Sequence, residues 1–223
     1  MDRKETLVSF FTNMLAVILG IVITFSIQAM IDRAQDRRDV KAALALIRTE
    51  LAANREDIGT MRELLEQERC SAAYIVNHRA SLKECPADSV RYHCGIVNSE
   101  LSITLSHDAL ELLKMSSLFQ KIGSNDLSMK IIRAYDACTF AAATLNGRIS
   151  DRNEQLQDLI DEQLTDQHTS DWIVIISRLV QTEKGLYFFR QLTSPSATGM
   201  FDELSEIDEA LAAIDAVLPP ENN

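Results

Sequence analysis

An uncharged run near the N-terminus constrains this chain more than any other feature. Residues 6–31 carry no charged side chain, and Glu5 and Asp32 close the run on its two sides. Crossing roughly 30 Å of hydrocarbon takes about 20 apolar residues in a helix, so the run is long enough to span a bilayer. A core helix would show a wider polar stripe, and a signal peptide would have a shorter apolar region with a clear cleavage site. We therefore predict a retained single-pass transmembrane helix over 6–31, called the anchor here, after a short flank over 1–5.

One face of the anchor carries its small and polar side chains. These residues step along the chain by three or four positions, which places them on one side of a helix. In lipid, small residues let helices approach closely, and polar side chains can hydrogen-bond across the contact. We predict self-association through this face, and the alternative is a water-lined pore built from the same residues. The members of the face are Ser9, Asn13, Ala16, Gly20, Thr24 and Gln28.

The two flanks of the anchor differ in their basic residues. Arg3 and Lys4 precede the anchor, whereas Arg33, Arg37, Arg38 and Lys41 follow it. Basic residues concentrate on the cytoplasmic side of a membrane helix. By this count alone, the larger part of the chain would lie in the cytoplasm.

The residues beyond the anchor have the composition of one helical domain. The chain has 223 residues with only 7 Gly and 4 Pro, so the part outside the anchor is long enough for a sizeable core and poor in helix-breaking residues. The net charge of −11 falls entirely in the last third, since residues 151–223 hold 15 acids and 4 bases. Such a surface repels nucleic acid. We predict acidic helices over 151–218 and no nucleic-acid partner.

An apolar stripe with alternating steps of four and three residues follows the anchor. This spacing is typical of a coiled-coil seam and predicts a continuous stalk helix over 32–69. A polar residue in such a seam can fix the register of a coiled coil. The alternative, which we favour, is that the stripe packs on helices of the same chain and Asn54 lies at a wet edge. The stripe consists of Val40, Leu44, Ile47, Leu51, Asn54, Ile58, Met61 and Leu65.

The remaining residues, 70–223, are predicted to form an all-α antiparallel bundle. The segment 71–100, with Pro86 and several polar residues, is predicted to be an irregular cysteine-containing loop. Helical patterns then resume over 106–123, from Ser124 to about 164, and from Ser170 or Asp171 through the apolar stretch to 189. A loop over 194–199 precedes a last helix over 201–218, which Pro219 and Pro220 end.

Three pieces of the chain together resemble a known family. They are VILGIVITFSIQ leading into a charged helix, the segment SHDALELLKMSSLFQKIGSNDL, and the acidic terminal helix IDEALAAIDAVL. The chain resembles an uncharacterised family of bacterial single-pass membrane proteins with an N-terminal anchor and a helical extracytoplasmic domain. The resemblance implies a place in the bacterial inner membrane, with the N-terminus in the cytoplasm and the helical domain outside. It implies no activity and no functional residues.

The four cysteines allow three pairings. Cys85 and Cys94 flank the predicted loop, and we predict a disulfide between them. Cys138 lies on an apolar helical face, where a buried free thiol is the ordinary outcome, and a bridge from Cys70 to Cys138 is a second possibility. The alternative to disulfides is a zinc site, although the chain has no closely spaced cysteine pair of the kind that such sites use. Its ligands would come from Cys70, His78, Cys85, His93 and Cys94.

No stretch of the sequence matches a catalytic or phosphate-binding motif. We predict a non-enzymatic protein without a cofactor or an identified small-molecule substrate. It would act as a membrane-anchored scaffold or accessory subunit, through self-association or a membrane-protein partner. The alternatives are an oligomeric pore-forming or membrane-disrupting effector, and an extracytoplasmic sensor with a ligand between its helices.

Overall fold

A single long helix organises the fold. The computed structural model describes residues 3–163, 171–194 and 204–218, with the side chains of 3–13 and of residue 163 outside this description. Helix α1 runs without a break from Arg3 to Asn77, about 110 Å at 1.5 Å per residue. The predicted continuation of the anchor into a charged helix is confirmed. The helix ends eight residues later than predicted, at Asn77 instead of Arg69.

Six further α-helices and two short 3-10 turns complete the described part of the chain, which contains no β-strand. The all-α fold is therefore as predicted. After α1 come a 3-10 turn at Leu82–Glu84, α2 (Ala87–Val97), α3 (Asp108–Met115), a 3-10 turn at Leu118–Lys121, α4 (Asn125–Gln163), α5 (Trp172–Leu179), α6 (Glu183–Leu192) and α7 (Leu204–Asp215).

The two longest helices lie side by side and run parallel. Side chains of α1 bond to side chains of α4 in rising order along both helices, first Glu50 to Tyr135 and then Glu68 to Arg152. Helix α7 runs antiparallel to α1, because ion pairs join Arg48 to Asp215 and Arg55 to Asp208. The bundle therefore contains both parallel and antiparallel helix pairs. Helix α4 runs parallel to α1 because the chain returns to the end of the bundle nearest the anchor before α4 begins.

Two apolar clusters fill the bundle, one above the other along α1. The lower cluster lies nearer the anchor and joins α1 between Val40 and Leu65 to α3, α7 and the first half of α4. The upper cluster joins Ala72 and Ile75 of α1 to α2, α5 and α6. Both α1 and α4 take part in both clusters, so these two helices tie the halves together.

The predicted stalk is not a free coiled coil. Seven apolar members of the stripe, from Val40 to Leu65, are at most 9% exposed, and helices of the same chain cover them. This confirms the intramolecular alternative for the stripe. The division into a stalk over 32–69 and a domain over 70–223 is wrong, because α1 is the central helix of the bundle. Asn54 is 2% exposed, so its predicted place at a wet edge is also wrong.

Two further segments differ from the sequence-based prediction. Most of 71–100 is helical, in the end of α1 and in α2, because Ala72, Ile75, Val90 and Val97 place apolar side chains in the upper cluster. The apolar stretch after Asp171 forms two helices instead of one. Asp171 caps α5, its side chain accepting a bond from the amide of Ile173, and Thr182 caps α6 in the same way. The predicted loop over 194–199 and the prolines at 219 and 220 lie outside the described residues, apart from Ser194.

The break between α5 and α6 depends on a glycine. A Cβ atom at Gly185 would come within 2.0 Å of the carbonyl oxygen of Leu179. Since that oxygen belongs to the backbone, it cannot rotate away, and the first turn of α6 can approach the end of α5 this closely only with glycine at 185.

We expect Gly185→Ala to lower the free energy of unfolding by about 1–3 kcal/mol, the usual cost of overpacking. The matched control is Gly147→Ala, where nothing lies within 4 Å of the added Cβ atom. Because alanine favours the helix interior, the control should raise stability by about 0.5–1 kcal/mol. Urea unfolding of the full chain in a mild detergent measures both changes. Equal effects of the two substitutions would contradict the prediction.

Candidate functional site: the exposed anchor and the polar contacts of residues 98–107

The apolar part of α1 is uncovered by the rest of the protein. From Met14 to Ile31 every residue is exposed, including large side chains such as Phe25 at 71% and Met30 at 70%. This segment is the one stretch among the described residues that is long and apolar enough to cross a membrane. The exposure of so many large apolar side chains distinguishes it from the helices of the bundle, which bury theirs.

The polar side chains of the described part of the anchor, 14–31, bond within their own helix. The hydroxyl of Thr24 donates to the carbonyl oxygen of Gly20 at 2.8 Å, and the amide of Gln28 donates to Asp32 at 2.8 Å. Such local bonds leave less capacity for hydrogen bonds to a second helix. The side chains of Ser9 and Asn13 lie outside the described residues. What remains of the predicted face is a series of small residues four apart, Ala16, Gly20 and Thr24.

An extended segment, residues 98–107, lies between α1 and α4 and is called the strap here. It has no regular secondary structure, so its buried backbone groups need other partners. Asn54 of α1 supplies two of them: its amide nitrogen donates to the carbonyl oxygen of Ser106 at 2.8 Å, and its oxygen accepts from the Ser106 amide at 2.9 Å. Asn146 of α4 makes the same pair of bonds with Ile103, at 2.8 and 3.0 Å.

Glu50 fixes the end of the strap where α3 begins. Its carboxylate accepts from the hydroxyl of Ser106 at 2.6 Å, from the amide of Ala109 at 3.0 Å and from the hydroxyl of Tyr135 at 2.5 Å. A carboxylate from another helix therefore caps the first turn of α3, beside the hydroxyl of Ser106, which accepts from the amide of Asp108 at 3.4 Å. Burial alone would raise the pKa of Glu50, but these hydrogen bonds outweigh burial and hold the pKa below its ordinary value.

Arg152 and Glu68 form a buried ion pair at the other end of the strap. Their side chains are 5% and 3% exposed. The guanidinium of Arg152 also donates to the carbonyl oxygens of Val97 and Ser99, each at 2.9 Å. The pair lies between the two apolar clusters, after Leu65 on α1 and after Ile149 on α4. Burial raises the pKa of Glu68 despite the attraction of Arg152 and Arg148.

Neither predicted disulfide is formed, and all four cysteines are free thiols. Cys85 precedes α2 and Cys94 lies near its end, and the helix between them separates their Cα atoms by more than about 10 Å, beyond the roughly 7 Å that a disulfide spans. Cys138 lies near Asn54, whereas Cys70 lies 16 residues further along α1, about 24 Å away. Burial raises the pKa of Cys94 and of Cys138 to about 11, so neither is a reactive thiol.

The residues of the zinc alternative are only partly brought together. The ring of Tyr74 stacks between those of His78 and His93, with centroid distances of 4.2 and 4.0 Å. The Nδ1 atom of His93 lies 3.0 Å from the hydroxyl of Ser71, and burial together with the nearby His78 lowers the pKa of His93. Among the described residues, no group of three or more His, Cys, Asp or Glu side chains is placed to hold a metal ion.

Four residues of this site were not singled out from the sequence: Glu50, Asn146 and Arg152, which bind the strap, and Glu68, which pairs with Arg152. For two of them, the sequence pattern indicates a buried position. Glu68 continues the stripe of α1 beyond Leu65 with steps of three and four, and Arg152 does the same on α4 after Ile149. Opposite charges at two buried stripe positions are the pattern of an internal ion pair. Glu50 and Asn146 lie beside the stripes and carried no such signal.

Comparison with known proteins gives no relative. No protein-family model, no curated protein and no solved structure matches this chain significantly.

We expect Arg152→Met to reduce the free energy of unfolding by about 3–5 kcal/mol, because removal of one partner leaves a buried, unpaired carboxylate. The carbonyl oxygens of Val97, at the end of α2, and of Ser99, in the strap, would also lose their donors. The matched control, Arg133→Met, changes an exposed arginine of the same helix and should alter stability by less than about 0.5 kcal/mol. Urea unfolding in detergent measures both. A loss below 1 kcal/mol for Arg152→Met would contradict this account of the strap.

Proposed function

We propose that this protein is a non-enzymatic, membrane-anchored helical scaffold or accessory subunit that acts through self-association. The observation that carries the proposal is the contrast between the two parts of α1. The stripe from Val40 to Leu65 is buried within the same chain, while Met14–Ile31 has no partner among the described residues. Any association through α1 therefore falls to the anchor.

The small residues of the anchor supply a surface for that association. Ala16, Gly20 and Thr24 recur at intervals of four, which is the spacing that lets two membrane helices pack with close backbones. Nothing lies within 4 Å of the position where Gly20 would carry a Cβ atom. Because Thr24 and Gln28 are bonded within α1, we infer that packing rather than interhelical hydrogen bonding drives the contact.

The buried ionisable groups of the bundle support a structural role. Glu50 and Arg152 bind the strap, and Glu68 pairs with Arg152. The hydroxyl of Tyr135 donates to Glu50, and burial raises its pKa above the ordinary value. Each of these groups thus takes part in contacts that stabilise the fold, and this favours a non-enzymatic protein.

The pore alternative has less support than self-association. The hydroxyl groups of Thr24 and Ser26 donate to backbone carbonyl oxygens of the same helix, so these two side chains have less capacity to bind water in a pore. The sensor alternative stays a prediction. A groove of about 640 Å³ between α4 and α6, lined by Leu159, Leu186, Tyr187 and Phe188 among others, is where we would look for its ligand.

We expect the full chain to form dimers or larger assemblies in a mild detergent, and we expect Gly20→Leu to weaken them at least tenfold, because four added carbon atoms keep the helices apart. The matched control is Ala29→Leu, which adds a similar bulk about 180° away on the same helix and should leave the assembly intact. Light scattering with correction for bound detergent measures the mass. A strictly monomeric wild-type chain would overturn self-association, and equal effects of both substitutions would show that the contact uses another face.

For the location, we propose the bacterial inner membrane, with the N-terminus in the cytoplasm and the bundle outside. This orientation follows the family resemblance alone. A disulfide would have favoured the oxidising side of the membrane, but all four cysteines are free thiols. The basic flank formed by Arg33, Arg37, Arg38 and Lys41 favours the opposite orientation. The accessible thiol of Cys70 offers a direct test.

We expect a membrane-impermeant maleimide to label Cys70 in intact spheroplasts without prior reduction. Cys70 is exposed, whereas Cys94 and Cys138 are buried and largely protonated at neutral pH. The control variant Cys70→Ser should lose most of the label, with the remainder on the half-buried Cys85. Labelling that requires lysis would place the bundle in the cytoplasm and would identify the basic flank as the true topology signal.

A further inference from the structure

The boundary between the anchor and the bundle carries a set of basic side chains without partners. Arg33, Arg37, Arg38 and Lys41 are all exposed, and none makes a hydrogen bond or ion pair within the described part of the chain. The three acids of the same segment are all engaged. Gln28 donates to Asp32 at 2.8 Å, Lys121 to Asp36 at 2.7 Å and Gln35 to Asp39 at 2.9 Å.

The bases and the acids lie on different sides of α1. At about 100° per residue, the four bases fall within an arc of about 140°, and the three acids fall within about 60° on the other side. The 3-10 turn at Leu118–Lys121 approaches the acidic side, where Lys121 binds Asp36. The basic side chains are therefore available to bind a partner outside the protein.

Arg33 and Arg37 have a particular place in the pattern of α1. They continue backwards the steps of four and three that run through Val40, Leu44 and Ile47. They therefore lie on the side of α1 that the bundle covers, but below its base, where the first buried apolar residue is Val40. At the two stripe positions that the core does not reach, arginine replaces an apolar side chain.

The height of this gap matches a layer of lipid headgroups. Val40 lies about 13 Å beyond Ile31 along the axis of α1, Arg33 about 3 Å and Arg37 about 9 Å. A headgroup layer is about 5–8 Å deep on each side of the hydrocarbon, and long basic side chains bend toward it. The two arginines thus stand at the depth where lipid phosphates lie.

We propose that the gap between the base of the bundle and the membrane binds anionic lipid headgroups, with Arg33 and Arg37 as the ligands of the phosphate and with Arg38 and Lys41 adding positive charge beside them. Arginine suits this role because its planar guanidinium donates two hydrogen bonds to one phosphate. The inference rests on the membrane anchoring in the proposed function.

The test uses the full chain in phosphatidylcholine vesicles that contain a trace of spin-labelled phosphatidylglycerol or spin-labelled phosphatidylcholine. The ratio of the two immobilised fractions gives the preference for the anionic lipid. We expect the wild-type chain to prefer phosphatidylglycerol and Arg33→Gln with Arg37→Gln to reduce that preference at least about fivefold, since each basic residue near an anionic surface contributes about that factor. The preference should also fall as sodium chloride rises.

The matched control is Arg79→Gln with Arg91→Gln, which removes the same charge from two exposed arginines at the far end of the bundle. It should leave the preference unchanged. The proposal is overturned if the wild-type chain shows no preference, if the Arg33 and Arg37 variant retains it, or if the control loses as much.

Two further outcomes have separate meanings. Inorganic phosphate that abolishes the preference more strongly than chloride of equal ionic strength would identify a site for free phosphate and overturn the lipid assignment. A chain that does not float with the vesicles in a density gradient would overturn the anchoring itself, and with it the proposed function. Both variants change exposed residues, and circular dichroism checks that they keep the helical content of the wild-type chain.

Discussion

Helices α2, α3, α4, α6 and α7 all pack against α1, whose backbone is helical without a break from Arg3 to Asn77. A helix satisfies its own amide and carbonyl groups, so the same backbone is stable in hydrocarbon and in a protein core. Side chains alone therefore distinguish the segment that could cross a membrane from the segment that the bundle covers. Apolar residues surround the helix up to Ile31, charged residues follow, and from Val40 onward the apolar residues narrow to one stripe. That stripe gives the other helices a single long surface to cover.

The strap shows how the bundle accommodates a segment without regular structure. Its backbone groups would be costly to bury unpaired, and side chains from both long helices bind them. Asn54 and Asn146 each use both ends of an amide group, Glu50 binds the start of α3, and Arg152 reaches two carbonyl oxygens while it pairs with Glu68. Side chains of α1 and of α4 thus bind the same segment, and this shared binding fixes the register of α1 against α4.

The sequence predicts those parts of this fold that depend on local periodicity. The long apolar segment, its continuation into a charged helix, the start of α4 just after Ser124 and a cap at Ser170 or Asp171 all follow from spacing and from residue preferences within one segment. The roles of Asn54 and of the cysteines could not be predicted in this way. Whether Asn54 faces water or the carbonyl of Ser106 depends on a segment 52 residues away, and whether Cys85 can reach Cys94 depends on the helix that Val90 and Val97 stabilise by burial in the upper cluster. Glu68 and Arg152 were visible as charges on apolar stripes, but their pairing depends on the register of two helices.

Because α1 is continuous, a tilt of its apolar segment also tilts the bundle. Asn77 lies about 69 Å beyond Ile31 along the helix axis, and the bundle is packed against most of that length. Membrane helices commonly tilt by about 20° from the bilayer normal, and a rigid arm of this length would turn such a tilt into a sideways displacement of roughly 24 Å at its tip. In the proposed membrane-anchored state, a small change in bilayer thickness would thus become a large movement of the surfaces furthest from the membrane.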